Sequence, residues 1–252
     1  MFEWIKLIVR DFKKQSIKKK FDKFSKFKGQ SRVEEFNQAS ETLKSIERFF
    51  YRGESLERFI ASLDCITIDE GWHIDMHYYD LFKNGKSRYP FLYCYKDVKP
   101  NEYDWKKVEN LYTKSLMHES IYKIKSNPYN IYNHINVKPT EMGAWQVYLL
   151  ELYPFIKNRI DMNDTERETT LLLISNSELD FIKNKCQYKI DENIDIRPYV
   201  WLKGNKAYVS CCRWVYNDGL GRDIYTIVFD NSRVKDIIKD YESLYCSHIF
   251  RS

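Results

Sequence analysis

At 252 residues, 43% hydrophobic and 31% charged, the chain is long and apolar enough to bury a real core, which excludes an intrinsically disordered segment. No apolar run approaches the length of a membrane span, and the greasy residues 2–9, interrupted by Glu3 and Lys6 and followed by lysines, do not read as a signal peptide. The formal net charge of +5 is unevenly placed: residues 1–30 hold ten Lys/Arg against three Asp/Glu, while residues 31–252 hold 31 against 33.

Residues 1–64 read as helices. Ile5, Ile8, Val9 and Phe12 share one face, and Ile17, Phe21 and Phe24 form a rotated stripe, so a bend is expected between them. Gly29 stops this segment. Ser31 and Glu34 then resemble a capping box for a helix carrying Val33, Phe36, Leu43, Ile46 and Phe50, which ends at Gly53. Ser55 precedes a short helix with Leu56, Phe59, Ile60 and Leu63 at helical spacing.

A β-hairpin is predicted over 72–95, because Asn84-Gly85 supplies the two positive-φ residues of a tight turn. With those as a two-residue loop, Trp72, Ile74, Met76, Tyr78 and Phe82 fall on one face with Phe91, Tyr93 and Tyr95, which makes that face the core. Pro90 lacks a ladder donor and places its strand at a sheet edge. A helix follows over 104–117, then an irregular connection over 127–139. Thr140 caps an amphipathic helix to about residue 152, with Trp145, Tyr148, Leu149 and Leu152 inward and Pro154 near its end.

Residues 161–168 are polar and mostly acidic, 169–174 read as a buried strand, and Ser177 opens a short helix. A three-stranded meander is expected at 196–202, 206–216 and 222–229. Its middle strand is apolar on both faces and is therefore expected to be central and covered on both sides. Val234, Ile237, Ile238, Tyr241, Leu244 and Tyr245 fit a closing helix capped near Asn231 or Ser232. The fold class is α+β: a helical section at 1–64, joined to or continuous with a mainly antiparallel sheet at 65–252 flanked by helices.

His73, Asp75 and His77 alternate along the first hairpin strand and share a face; in the two-residue-loop register Asp75 lies opposite Cys94, and the four form a candidate zinc set. The competing reading is a solvated polar face. The six cysteines form no C-x-x-C pair and read as reduced thiols of a cytoplasmic protein. P-loop, G-x-G-x-x-G, G-x-S-x-G and H-E-x-x-H patterns are all missing, so no cofactor is expected.

Function is therefore expected to be non-enzymatic: a cytoplasmic protein-binding module, of the immunity or antitoxin type, that occludes a protein partner. The surface nominated for it joins Tyr199, Trp201 and Tyr208 to the acidic Asp191, Glu192 and Asp195, an arrangement suited to a basic partner. One alternative is attachment to nucleic acid or anionic membrane through Lys13, Lys14, Lys18, Lys19, Lys20 and Lys23, where lysine rather than arginine favours loose phosphate attraction. The other is an enzyme whose site is scattered or metal-dependent.

Overall fold

A computed structural model describes residues 56–80, 88–102, 104–107, 129–161, 170–173, 198–215 and 219–245. The expected helices before residue 56, the Asn84-Gly85 turn, the helix beyond residue 107, the acidic stretch at 162–168 and the helix from Ser177 lie outside them.

The first helix, α1 (Leu56–Ala61), buries Phe59, and Ser62 closes it by donating from Oγ to the Phe59 carbonyl at 2.6 Å. Strand β1 (Ile66–Ile68) follows and pairs antiparallel with β4 (Ile135–Val137). Sequence reading places 135–137 in an irregular connection, because three residues are too few for an alternation to stand out. That connection also holds a 3₁₀ turn, Ile131–Asn133, capped by the Asn130 side chain accepting from the Tyr132 N–H at 3.0 Å.

Strands β2 (Trp72–Asp80) and β3 (Arg88–Lys96) form the expected hairpin, but in a different register. Trp72 pairs with Lys96, Ile74 with Cys94, Asp75 with Tyr93 and Met76 with Leu92. A two-residue loop requires an even number of residues between paired positions, whereas the pair Asp80 and Arg88 encloses an odd one. This one-residue slip turns every β3 side chain to the other face. Leu92 and Cys94 therefore enter the core beside Ile74 and Met76, and Phe91, Tyr93 and Tyr95 join His73, Asp75 and His77 on the opposite side. The aromatics misled by bulk, since their own face is roofed by Trp105, packed edge-on to Tyr93 at 4.6 Å. Pro90 is consistent with an edge: the Cys94 N–H, on the same side of β3, bonds the Tyr129 carbonyl outside the hairpin at 2.9 Å.

The core organises around α2 (Glu141–Asp161). Thr140 caps it as expected, with Oγ1 accepting from the Gly143 N–H at 3.1 Å. The helix runs past Pro154, which lies inside it rather than near its end. Nor is it amphipathic over its middle: residues 143–154 are all buried, so the predicted inward stripe is only part of a surface covered on every side. Fully burying Trp145 and Tyr148 removes on the order of 200 Å² each from water, roughly 5 kcal/mol apiece before entropy.

The largest sheet contains β5 (Thr170–Leu173), β6 (Tyr199–Lys203), β7 (Lys206–Val215), β8 (Gly219–Asp230) and β9 (Arg233–Tyr245), all pairings antiparallel. As expected, β7 is central. One edge pairs with β8, and the other is shared end to end by β6 and β5. The predicted closing helix is instead β9, the strand beyond β8. Its entry is a turn at Asn231, whose φ of 54° is left-handed and suits Asn. Register shifts between Val228 and Phe229 leave Lys235 as an extra residue, so Val234 and Ile237 both point inward three residues apart. A bulge has imitated a helical repeat. The described architecture is thus mixed α+β with antiparallel sheets, as predicted, but carries more strand and less helix than expected.

Gly143 sits where the carbonyl of Lys138 packs against the first turn of α2, and a Cβ there would collide with that backbone oxygen. Gly143→Ala should therefore cost about 2–3 kcal/mol by overpacking. Chemical denaturation should show a lowered midpoint with an unchanged slope; equal stability would mean that the Lys138 carbonyl moves freely.

Candidate protein-binding face and the charged seam behind it

Because side chains alternate along each strand, the large sheet has an inner face against α2 and an outer face. The outer face is laid out in rows across four strands. Trp201, Tyr208, Thr226 and Ile238 form the central row; Lys203, Lys206, Val228 and Asp236 flank it on one side, and Tyr199, Ser210, Ile224 and Asp240 on the other. This is the register that a two-residue Gly204-Asn205 loop predicts for β6 and β7. Trp201 stacks on Tyr208 with centroids 5.5 Å apart, and Lys203 Nζ lies 5.8 Å over the Trp201 ring. Tyr199, Trp201 and Tyr208 are half-buried, and Ile238 is 55% exposed. Towards Cys212 the face closes, since Ser210 and Cys212 are buried.

The inner face carries charges that sequence reading did not nominate. Asp223, 3% exposed, pairs with Arg213 Nε at 2.8 Å and accepts from the Tyr148 hydroxyl at 3.0 Å. One turn along α2, Glu151 pairs with Lys239 Nζ at 2.5 Å and accepts from the Tyr132 hydroxyl. Tyr225 lies between the two groups, edge-on to Tyr148 at 5.0 Å and under Lys239 Nζ at 5.3 Å. Burial pushes the Asp223 carboxyl above its ordinary value despite the opposing pull of Arg213 and the Tyr148 hydrogen bond. Burial first, then the neighbouring ionisable groups, likewise holds the Tyr148 and Tyr225 phenols protonated far past their usual range. A signal for Asp223 was present: it shares parity with Tyr225, Ile227 and Phe229 in a strand whose other parity is half-exposed.

On the hairpin, His73, Asp75 and His77 do share a face, but Cys94 is on the opposite one, paired with Ile74 and completely buried. Burial, reinforced by the charge of Asp69, pushes the Cys94 thiol up to about 12, away from the thiolate that a metal needs. Asp75 is held by Lys99 Nζ at 2.5 Å and by the Tyr93 hydroxyl at 3.3 Å. Burial raises its carboxyl, but the hydrogen bonds from Lys99 and the Met76 N–H, with the Lys99 charge, together bring it below its ordinary value. His77 stacks on Trp105 at 3.9 Å. Among the described residues, no three of His, Cys, Asp and Glu are grouped to hold a metal ion. The reason is the register: the slip removes the thiol, and a lysine takes the carboxylate.

The basic Lys13, Lys14, Lys18, Lys19, Lys20 and Lys23 and the acidic Asp191, Glu192 and Asp195 lie outside the described residues. Among the described residues, no helix is long and apolar enough to cross a membrane, and Cys65, Cys94, Cys211 and Cys212 are buried free thiols. No protein-family profile matches the chain, and neither curated proteins nor solved structures provide a match.

The seam can be tested by removing its two kinds of partner. Tyr148→Phe should cost about 1 kcal/mol, one buried hydrogen bond. Arg213→Met should cost roughly 3 kcal/mol or more at pH 7, because it leaves a carboxylate buried without its cation. Losing Arg213 raises the folded-state value of Asp223 further. Stability attached to a raised carboxyl is present at low pH and lost as pH rises from the unfolded value near 4 through the folded one. The deficit of Arg213→Met should therefore grow between pH 4 and pH 7, and a deficit independent of pH would remove Asp223 from the explanation.

Proposed function

We propose that the chain is a non-enzymatic, cytoplasmic protein-binding module that occludes a protein partner by surface complementarity, in the manner of an immunity protein or antitoxin. The observation that carries the reading is the outer row of Trp201, Tyr208, Thr226 and Ile238, in which two large aromatics keep part of their surface in water and the far end is an exposed aliphatic residue. Partly buried Trp and Tyr are the side chains that most often anchor protein interfaces, because they bring large apolar area at low entropic cost. Lysines at one corner and aspartates along β9 form a charged rim, the usual surround of such an anchor. The acidic Asp191, Glu192 and Asp195, just before β6 in the chain, suit a partner with a basic surface. Four buried free thiols fit a reducing compartment.

The reading is tested by affinity purification from the native host with wild-type bait, Trp201→Ala, Tyr199→Ala and, as a control elsewhere, Val98→Ala, whose parent residue is 79% exposed. A stoichiometric protein should be retained by wild type and Val98→Ala and lost, or weakened at least tenfold, with Trp201→Ala, a cost of about 1.4 kcal/mol or more. Equal capture by all four baits of matched circular dichroism would place the interface elsewhere.

The charge split supports a second reading, in which residues 1–30 attach the protein to an anionic surface. Changing Lys13, Lys14, Lys18, Lys19, Lys20 and Lys23 together to Gln should then lower the salt needed to elute the protein from heparin and abolish co-sedimentation with acidic vesicles, with the melting curve unchanged. Unaltered elution would discard this reading.

A further inference from the structure

We infer that the β2–β3 hairpin carries a binding site for a lysine side chain of a basic protein partner, built from the Asp75 carboxylate and the Tyr95 ring, and that the chain's own Lys99 fills it in the free protein. The site owes nothing to the outer face of the large sheet. Lys99 Nζ lies 2.5 Å from Asp75 Oδ2 and 5.6 Å over the Tyr95 ring. These are the two contacts by which proteins recognise an ammonium, a charge-assisted hydrogen bond and a π face.

The acceptor is fixed, whereas the cation is not. Asp75 lies within β2, where Oδ1 accepts from the Met76 N–H at 2.7 Å and Oδ2 accepts from the Tyr93 hydroxyl at 3.3 Å. Tyr93 is only 5% exposed and is held edge-on by Trp105, and the His73 ring backs Tyr95 at 5.4 Å. Lys99 projects from the connection after β3 with 61% of its side chain in water, above a carboxylate that is itself 32% exposed. That connection turns tightly: the Val98 N–H bonds the Lys96 carbonyl at 2.6 Å and Asp97 has a φ of 61°, a strained conformation for a residue with a Cβ. A solvated pair made by one long, flexible side chain adds little stability, so Lys99 can swing out at small cost. Arg233, by contrast, ties β9 to Asp69 and to the carbonyls of Ile135 and Asn133.

The chemistry of the occupant follows from the oxygens. Oδ1 is engaged by the backbone, which leaves Oδ2 to meet the cation. A guanidinium fork is matched by two open oxygens, whereas a compact ammonium needs one. A quaternary ammonium has no N–H to give Oδ2. Lysine is therefore preferred over both. Lys99 also sets the apparent affinity: a site open about one tenth of the time binds roughly tenfold more weakly than the same site left vacant.

The test titrates Nα-acetyl-lysine N-methylamide into the full isotope-labelled chain and follows the amide resonance of Met76, whose N–H bonds the carboxylate. Lys99→Met, which removes the charge and keeps the stem, should bind the probe with a Kd of about a few millimolar, and wild type at least tenfold more weakly. In the Lys99→Met background, Asp75→Asn should abolish the shift, and Tyr95→Leu should weaken binding about two- to fivefold. No shift in Lys99→Met at about 50 millimolar probe overturns the inference. So does equal binding of the Nε-acetylated probe, of the arginine counterpart, or by the Asp75→Asn and Tyr95→Leu variants. If Lys99→Met and Lys99→Gln both fail to fold, Lys99 is a structural tie and the inference falls.

Discussion

A helix covered on every side has no water to satisfy its polar side chains, and α2 carries three of them within six residues: Gln146, Tyr148 and Glu151. Each is answered by a different part of the chain. Gln146 accepts from the Cys65 N–H at 2.7 Å and donates to Asp64, fixing the start of β1; Tyr148 donates to Asp223 on β8; Glu151 takes Lys239 from β9 and Tyr132 from the 3₁₀ turn. Apolar packing alone would tolerate rotation or sliding of a helix in such a sleeve. Directional bonds to four separate parts of the chain do not, because any displacement leaves buried polar groups without partners at a cost of about 1–3 kcal/mol each. Buried ion pairs contribute little net stability, so the reading here is that they define the one arrangement of helix and sheet.

A second tie makes the small sheet part of the same body. Arg233, the first residue of β9, places Nη2 2.9 Å from both oxygens of Asp69, while Nη1 donates to the carbonyls of Ile135 at 2.8 Å and Asn133 at 3.2 Å. A planar guanidinium can serve a carboxylate and two carbonyls at once, which a lysine cannot. The Val137 N–H adds a bond to the Ser232 carbonyl at 2.7 Å. The β8–β9 turn is thereby anchored from the side, which fixes the start of β9, the outermost strand of its sheet among the described residues.

The parts legible in the sequence are those where one local rule acts alone. The Thr140 cap, α1, the centrality of β7 and the β6–β7 register follow from a capping residue, a short apolar repeat, a two-sided apolar strand and a two-residue loop. The failures occur where two rules coincide on one pattern. In β3 the bulk of Phe91, Tyr93 and Tyr95 and the Asn84-Gly85 signal both favoured a register that the packing of Leu92 and Cys94 into the core overrules by one residue. In β9 an extra residue at Lys235 converted period two into an apparent period near 3.6. The candidate metal set failed through the same slip that misassigned the hairpin core. The aromatic positions of the outer face were reached because they depend only on the Gly204-Asn205 loop, whereas the charged seam behind them depends on which strands lie under α2, information held in pairings more than fifty residues apart.

The charge pattern of β9 distinguishes its edge from its face. An antiparallel two-fold pairing of the edge with its own copy must set some residue opposite itself. Centring on Ile238 would oppose Asp236 to Asp240; centring on Ile237 would oppose Lys235 to Lys239; centring on Asp236, Lys239 or Asp240 opposes a charge to itself. Each of these registers carries directly opposed like charges, which destabilise a strand pair. Interleaved charges of this kind are a common protection for an exposed strand against edge-to-edge growth. On the face, Asp236 stands across the sheet from Lys203 and Lys206 and Asp240 across from Tyr199 and Ser210, so the aspartates that oppose pairing along the edge also give the outer face its acidic border.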